Sequence, residues 1–531
     1  MALQKRKPSI TNIWMVTREY EGLAGAGGVK DVSRQLAEAL ARKGRKITVV
    51  LPLYGFINPT DKGFNLTRIV FQVDMPYVGV ERRETVKIWA KKEQGVSLYL
   101  VDADRYREKR NVYLYTAKEE AENPNHRKGD GHFDYFAMNV LLEKATLDLI
   151  ILQDERPAVI HCQDGHTALI PVMMREIEGY RHYFRNTGAL VTIHNAGQGY
   201  HQEVDDLPFA QTICNLPSRV IMGNLLDGAF DPLLAASSCA IMNTVSENYA
   251  RELRETALDE ETGGLGHRLL ERGNVLAGVT NGINPADFDP TRPEKLGLAA
   301  AFDPASGDLA GKRKCRDELI NIINGENISG VSRAGTLRDQ PRLPLFTFIG
   351  RLTAQKGVDV LALALENLLP RDEGFQVVIL GSGDKKIEEA LVQLAGEPRY
   401  LGRICLFRGY SDTLAPKIFA AGDFFLIPSH YEPCGLTDYM AQLMGNIPIV
   451  HHVGGLVKVL DGKTGLVYQE NTPEQLITAM ERALSLYRQA PDTLRSMQQT
   501  AVRHIQENYT WDRVVGRYLG LYQTAFSYLH R

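Results

Sequence analysis

The sequence predicts an α/β protein of two doubly wound domains, each a mostly parallel sheet with helices on both faces. Three observations point there. At 531 residues the chain is longer than one hydrophobic core serves. Short β-rich apolar runs alternate with helix-period segments almost from end to end. The runs read as strands buried on both faces, the mark of parallel sheets with helical crossovers.

In the first half, strands are expected at residues 13–16, 47–51, 96–101, 159–161, 190–193 and 240–245, with helical periodicity over 32–41, 133–152 and 167–177. Residues 60–125 fit this alternation poorly and read as a strand-containing insertion followed by a mobile loop. Residues 285–311, rich in Pro, Asp, Gly and Ala, read as a crossover, and 324–343 as a second polar stretch. Strands then come at 345–349, 376–380, 404–407, 424–427 and 447–450, separated by helical segments at 359–369, 385–394, 413–421 and 435–444. Near the end, Val514, Val515, Tyr518, Leu521, Tyr522 and Ala525 stand at helical spacing. The expected domains are 1–290 with an insertion at 60–130, 291–510, and a final helix over 511–531. No period of 20–50 residues suggests an array.

Composition bounds the function. Lys and Arg number 61 against 64 Asp and Glu, a net charge of −3, so nothing favours nucleic acid or an anionic membrane as partner. The six cysteines, at 162, 214, 239, 315, 405 and 434, form no C-x-x-C pair, which fits a reducing compartment and no structural zinc. The N-terminal basic residues have no apolar segment behind them, and no run is long enough to span a bilayer. A cytoplasmic placement is expected.

Residues 428–437, Pro-Ser-His-Tyr-Glu-Pro-Cys-Gly-Leu-Thr, join an apolar run to an amphipathic one. A strand, a Pro/Gly turn and a helix start leave N–H groups for an anion, and Glu432 at the turn can hold sugar hydroxyls. That suggests a nucleotide-sugar site; alone, the same residues also fit an ordinary strand–loop–helix connection. Arg351 and Lys356 follow a strand and precede a helix, at the sheet edge where doubly wound folds bind ligands. They offer a fork and a compact charge for phosphates, or form a solvated helix-start pair. His194 and Asn195 end one strand and Asp164 another, placed for sugar contact, although a lone strand-end histidine is also a structural feature. Asn281 precedes Gly282 and is a turn residue or a further contact. Gly27 and Gly28, between a strand and a helix, permit close approach of backbone to phosphate.

The motifs become specific together. Glu432-Pro433-Cys434-Gly435-Leu436-Thr437 resembles the donor-site signature of bacterial glycogen synthases and plant starch synthases. Arg351-Leu352-Thr353-Ala354-Gln355-Lys356-Gly357 resembles that family's R-L-T-x-Q-K-G, and Gly278 to Asn284 with Phe288-Asp289-Pro290 its G-x-x-N-G-[IV]-D and W-x-P. Thr192 to Asn195, His161 to His166 and Val245 to Glu252 resemble T-[IV]-H-N, H-x-H-D-W-H and V-S-P-T-Y-A-R-E. The likeness runs in family order from about residue 13 to about 522.

The resemblance implies the GT-B fold, two facing Rossmann-like domains with an interdomain cleft. It implies retaining transfer of glucose from ADP-glucose, or UDP-glucose, to the non-reducing end of an α-1,4-glucan. The nucleotide sugar is a substrate; no cofactor or metal is expected. By the same resemblance Arg351 and Lys356 neutralise the diphosphate, and Glu432 contacts glucose hydroxyls without acting as a nucleophile. His194 lies by the anomeric carbon, its carbonyl supporting positive charge. Asp164, Asn195 and Asn281 contact sugar, Tyr410 stacks on the base, the Cys434 backbone lines the sugar pocket, and the Gly435, Leu436 and Thr437 N–H groups meet phosphate.

Several positions depart from the pattern. Gly25 stands where the family has lysine, with Lys30 in the following helical turn. Gly165 replaces Trp, the segment after Asn195 is one residue shorter, Asn284 replaces Asp, and Met440 and Lys458 replace Tyr and Asp. An uncompensated phosphate-binding charge is worth about 1.5–3 kcal/mol, enough to slow an enzyme without silencing it. These changes leave two other readings: a glucosyltransferase of the same fold acting on a small sugar, and a weakly active glucan-binding or regulatory relative.

Overall fold

The computed structural model describes residues 10–325, 328 and 330–528. The chain forms two compact units: unit 1 is Met1–Gly282 with Val514–Arg531, and unit 2 is Ile283–Arg513.

Unit 1 is built on a nine-stranded sheet. Its strands are β1 (Asn12–Val16), β2 (Lys46–Pro52), β3 (Asn65–Asp74), β4 (Arg83–Glu93), β5 (Val96–Asp102), β6 (Val159–Gln163), β7 (Gly188–Ile193), β10 (Ile241–Thr244) and β11 (Ala277–Gly278). A separate short hairpin supplies β8 (Leu225–Leu226) and β9 (Ala229–Phe230). The sheet order is β11-β10-β7-β6-β1-β2-β5-β4-β3. Strand β1 is central because Ile13, Trp14, Met15 and Val16 are all buried, and it pairs in parallel with β2 and β6 (Ile13 opposite Ile47 and Val159). The chain leaves β1 to one side for β2 and later returns to the other for β6, so the order reverses there.

The insertion extends this sheet. Strands β3 and β4 form an antiparallel ribbon on β5. Charge ties the chain beyond β5 back to the ribbon: Arg105 pairs with Glu84 (2.5 Å) and Asp134 (2.7 Å), and Lys109 with Asp134 (2.7 Å). The final helix, Trp511–Tyr528, buries Val514, Val515, Tyr518, Tyr522 and Ala525. A Cβ on Gly188 would stand 2.7 Å from the Ala525 backbone, so a glycine at the start of β7 sets how closely this helix approaches.

Among the described residues, unit 2 has seven strands: β12 (Val331–Leu337), β13 (Leu345–Ile349), β14 (Gln376–Gly381), β15 (Arg403–Gly409), β16 (Phe424–Ile427), β17 (Ile447–His451) and β18 (Leu466–Tyr468). Their order is β12-β15-β14-β13-β16-β17-β18. All neighbours are parallel except β12, which runs antiparallel to β15. Phe346, Val377, Ile379, Leu406, Phe424, Leu426 and Ile449 form the core of one face. The order reverses between β13 and β16, the crevice where open α/β sheets bind ligands beyond their carboxyl ends.

One sequence expectation is corrected here. Residues 324–343 are not simply polar linker, because β12 lies within them; of its residues only Leu337 is buried. An edge strand that is mostly half-buried carries little apolar signal.

Candidate functional site

In unit 2 the carboxyl edge of the sheet gathers the sequence-predicted residues. The segment after β13 crosses to the helix Val358–Leu368 through Gly357, whose φ of +64° lies in the left-handed region. A Cβ there would stand 1.7 Å from the Pro428 carbonyl oxygen. Only glycine lets the Lys356 turn rest on the loop after β16.

Lys356 and Glu432 meet across that contact. The Lys356 ammonium donates to Glu432 Oε2 at 2.5 Å, and Ser429 Oγ donates to the same oxygen at 3.0 Å. Burial alone raises the Glu432 carboxyl, but the Lys356 charge, these two hydrogen bonds and the charge of Lys458 hold it below the usual carboxylate range. Glu432 is therefore an anion in a buried place. Arg351 does not join the pair: its guanidinium is exposed and donates to Gln355 Oε1 at 2.9 Å. Tyr410, after β15 on the same edge, is 67 % exposed and donates its hydroxyl to Asp412.

The Glu432 loop is backed by a second one, residues 453–458. Gly455 N–H donates to the Glu432 carbonyl at 2.8 Å. Cβ atoms on Gly454 and Gly455 would meet the carbonyl oxygens of Glu432 at 1.9 Å and Cys434 at 2.1 Å. Lys458, flagged by the sequence only as a departure, reaches behind: its ammonium donates to the carbonyls of Cys434, Gly435 (2.8 Å) and Gly455 (3.0 Å) and pairs with Asp438 at 3.1 Å. The N–H groups of Gly435, Leu436 and Thr437 donate to no protein acceptor among the described residues.

In unit 1 the predicted residues lie beyond β1, β6, β7 and β11. Asp164 ends β6 with φ +58° and ψ −177°, a conformation that costs a non-glycine residue about 1–3 kcal/mol. Its Oδ1 accepts from the N–H of His194 (2.6 Å) and of Asn195 (3.4 Å), so the strained strand end braces the next one. Burial pushes the Asp164 carboxyl up to about 7, against those N–H groups. Burial lowers His194 to about 3, which leaves a neutral imidazole. His194 Nε2 donates to Gln163 Oε1 at 2.6 Å, Gln163 lies 3.2 Å from His161 Nε2, and His161 Nδ1 lies 3.0 Å from the Tyr522 hydroxyl. The ring is held from behind by a buried polar chain; His161 and Gln163 belong to the His161–His166 motif, but no motif announced its far end at Tyr522. Asn195 Oδ1 accepts from Gly197 N–H at 2.8 Å, and Asn281 is buried.

The glycine loop holds a surprise. Glu19 Oε2 accepts from the N–H groups of Ala26 (2.7 Å) and Gly27 (3.1 Å), while Tyr113 donates to Oε1 at 2.7 Å. The Gly27 N–H expected to meet phosphate thus already holds a carboxylate. Gly28 provides only the backbone start of the helix Val29–Arg42. Sequence reasoning missed Glu19, whose signal is an acid just past β1 and ahead of glycines.

The departures are structurally coupled. A Cβ on Gly25 would lie 2.3 Å from Lys30 Cδ, so the Lys30 stem occupies the space a side chain at 25 would need, and its ammonium pairs with Asp31 at 3.1 Å. A Cβ on Gly165 would lie 2.3 Å from the His201 carbonyl oxygen: the loop after Asn195 fills the room of the missing Trp. A surface cavity of about 990 Å³ lined by Arg272, Asn274 and Thr524, at the opposite edge of this sheet, contains none of these residues.

Known proteins give the same answer. Residues 12–270 match the starch synthase catalytic domain family, and residues 343–485 the family of glycosyl transferases group 1. A glycogen synthase of Geotalea uraniireducens is 31% identical, covering 97% of this chain and 99% of its own. One from Photobacterium profundum is 30% identical over 97% and 96%. The catalytic domain of starch synthase IV from Arabidopsis thaliana, solved bound to ADP and acarbose, superposes with a TM-score of 0.81 at 24% identity, covering 98% of this chain and all of that one. These matches span both sheets and every motif above, and the chain belongs to the glycogen and starch synthase family of GT-B glycosyltransferases.

Proposed function

We propose that the protein extends α-1,4-glucans by transferring glucose, with retention, from ADP-glucose to the non-reducing end of a glycogen-like chain. The observation that carries the donor half is the Lys356–Glu432 pair at the reversal point of the unit 2 sheet, beside loop N–H groups that meet no protein acceptor among the described residues. The bond from the anomeric carbon to the terminal phosphate oxygen breaks, the acceptor hydroxyl oxygen replaces it, and the acceptor proton leaves on the departing phosphate. Negative charge grows on that phosphate, where preorganised donors act most strongly. Lys356 has two further N–H bonds to give, Arg351 an exposed fork, and Gly435, Leu436 and Thr437 their backbone. Glu432, anionic and buried, takes glucose hydroxyls; Tyr410, exposed, takes the base. In unit 1, neutral His194 with its backbone carbonyl, together with Asn195, Asp164 and Asn281, is assigned to sugar contacts. ADP is chosen as the base because the solved starch synthase neighbour carries ADP; UDP-glucose is the runner-up.

The test is donor turnover. Purified protein with glycogen and ADP-glucose should release ADP in step with glucose incorporated. No chain extension and no free nucleotide from either donor would sink the proposal. A second reading, a small sugar as acceptor, is supported by the Gly165 site, where backbone from Tyr200 and His201 stands in place of a side chain. Labelled donor passing to a small sugar in preference to glycogen would favour it.

A further inference from the structure

We propose that Lys458 is a positioning residue of the nucleotide-sugar site, turning the Gly435 and Leu436 N–H groups toward the leaving phosphates. The inference rests on the function proposed above. Its ground is the geometry of a trans peptide, in which the carbonyl of one residue and the N–H of the next point in opposite directions. Lys458 holds the Cys434 and Gly435 carbonyls with one ammonium. The next two N–H groups, of Gly435 and Leu436, therefore point away from it, and neither finds a protein acceptor among the described residues.

The arrangement is built rather than incidental. Lys458 is buried, with a third carbonyl (Gly455) and the fully buried carboxylate of Asp438 completing its partners. Its ammonium also sits 4.5 Å from the centre of the Tyr439 ring. Gly435 has φ +72°, and a Cβ there would stand 2.7 Å from Leu456 and 3.3 Å from Lys458 Nζ. Two adjacent peptide planes are thus fixed from one side, leaving donors on the other. A hydrophobic residue at 458 would free those carbonyls to rotate and strand Asp438.

The informative variant is therefore the double one, Asp438→Asn with Lys458→Met, which removes both buried charges. It should melt cooperatively near the parent and keep its glycogen KM. Its ADP dissociation constant should rise about tenfold, with a matching rise in donor KM and a fall in kcat. A purely structural role would lower the melting temperature and leave ADP affinity unmoved; a folded variant within about twofold of the parent in ADP affinity overturns the proposal. A second measurement needs no variant: saturating ADP should slow amide exchange in the peptide containing residues 433–440 of the parent, and unchanged exchange there also overturns it. Failure of the parent to bind ADP at all would instead defeat the function reading, and is visible in the same titration.

Discussion

Two side chains 76 positions apart in sequence, Lys356 and Glu432, settle each other's charge at 2.5 Å. Burial opposes the Glu432 anion, and Lys356 with Ser429 reverses that preference. An acid held below its usual range contributes stability above its unfolded pKa and loses it as pH falls through the folded one. In the parent, Glu432 stays ionised throughout the neutral range. Lys356→Met leaves the burial and removes the cation, so the carboxyl should rise above the usual carboxylate value and the ionised form be lost at a higher pH. The acid limb of kcat/KM for the donor should move up by about one pH unit or more, with a loss of about 10²–10³-fold at pH 8. A pH–rate series on parent and variant checks it; an unmoved limb would uncouple the pair. The sequence placed both residues at strand ends but not in contact, because closure across two loops depends on tertiary packing. It likewise gave no hint that Asp164 adopts a positive φ or that Glu19 fills the glycine loop, since each depends on a partner strand or loop folded against it.

At the scale of elements, legibility followed burial. Strands β1, β2, β13, β14 and β16 were readable because both faces are apolar; β12 was missed because nearly all of it is half-buried or exposed, and the β3–β4 ribbon was read as a strand-containing insertion without its pairing. The joints between elements were legible only as glycines. Gly357 and Gly462 have nearly the same backbone, φ +64° and +68°, but different surroundings: a Cβ on Gly357 meets the Pro428 carbonyl, while one on Gly462 meets nothing within 4 Å. Gly462→Ala should cost only the left-handed strain, about 1 kcal/mol, with activity unchanged. Gly357→Ala adds a backbone collision that must move the Lys356 turn or the Glu432 loop, so donor kcat/KM should fall at least about tenfold with a lower melting temperature. Kinetics and melting of the two variants side by side separate strain from displacement. Equal, small effects would show that the two loops are not held in register by this contact.

Over the whole molecule, the chain leaves unit 1 at Gly282 and returns to it at Val514, so the first unit is assembled from two segments far apart in sequence. The returning helix supplies buried Val514, Val515, Tyr518 and Tyr522 and lies against β7 at Gly188. Tyr522 also starts the polar chain through His161 and Gln163 to His194. The apolar spacing of this helix was visible in sequence; its part in orienting a histidine more than 300 residues earlier was not, because a buried tyrosine hydroxyl reads as packing until its partner is seen. Deleting residues 514–528 should therefore uncover β6 and β7 while leaving unit 2 intact. Hydrogen exchange resolves the two units where a single melting curve does not: amides in 159–163 and 188–193 should lose protection, and those in 345–349 and 376–381 should keep it. The milder Tyr522→Phe removes one hydrogen bond from a fully buried imidazole, a loss of about 1–3 kcal/mol. It should raise exchange in 159–163 alone and lower kcat with little change in donor KM, because His194 loses its anchor while the unit 2 donor loop is untouched. Protection unchanged in β6 after either change would mean that the first unit closes without the terminal helix, and the polar chain behind His194 would lose its claim to orient it.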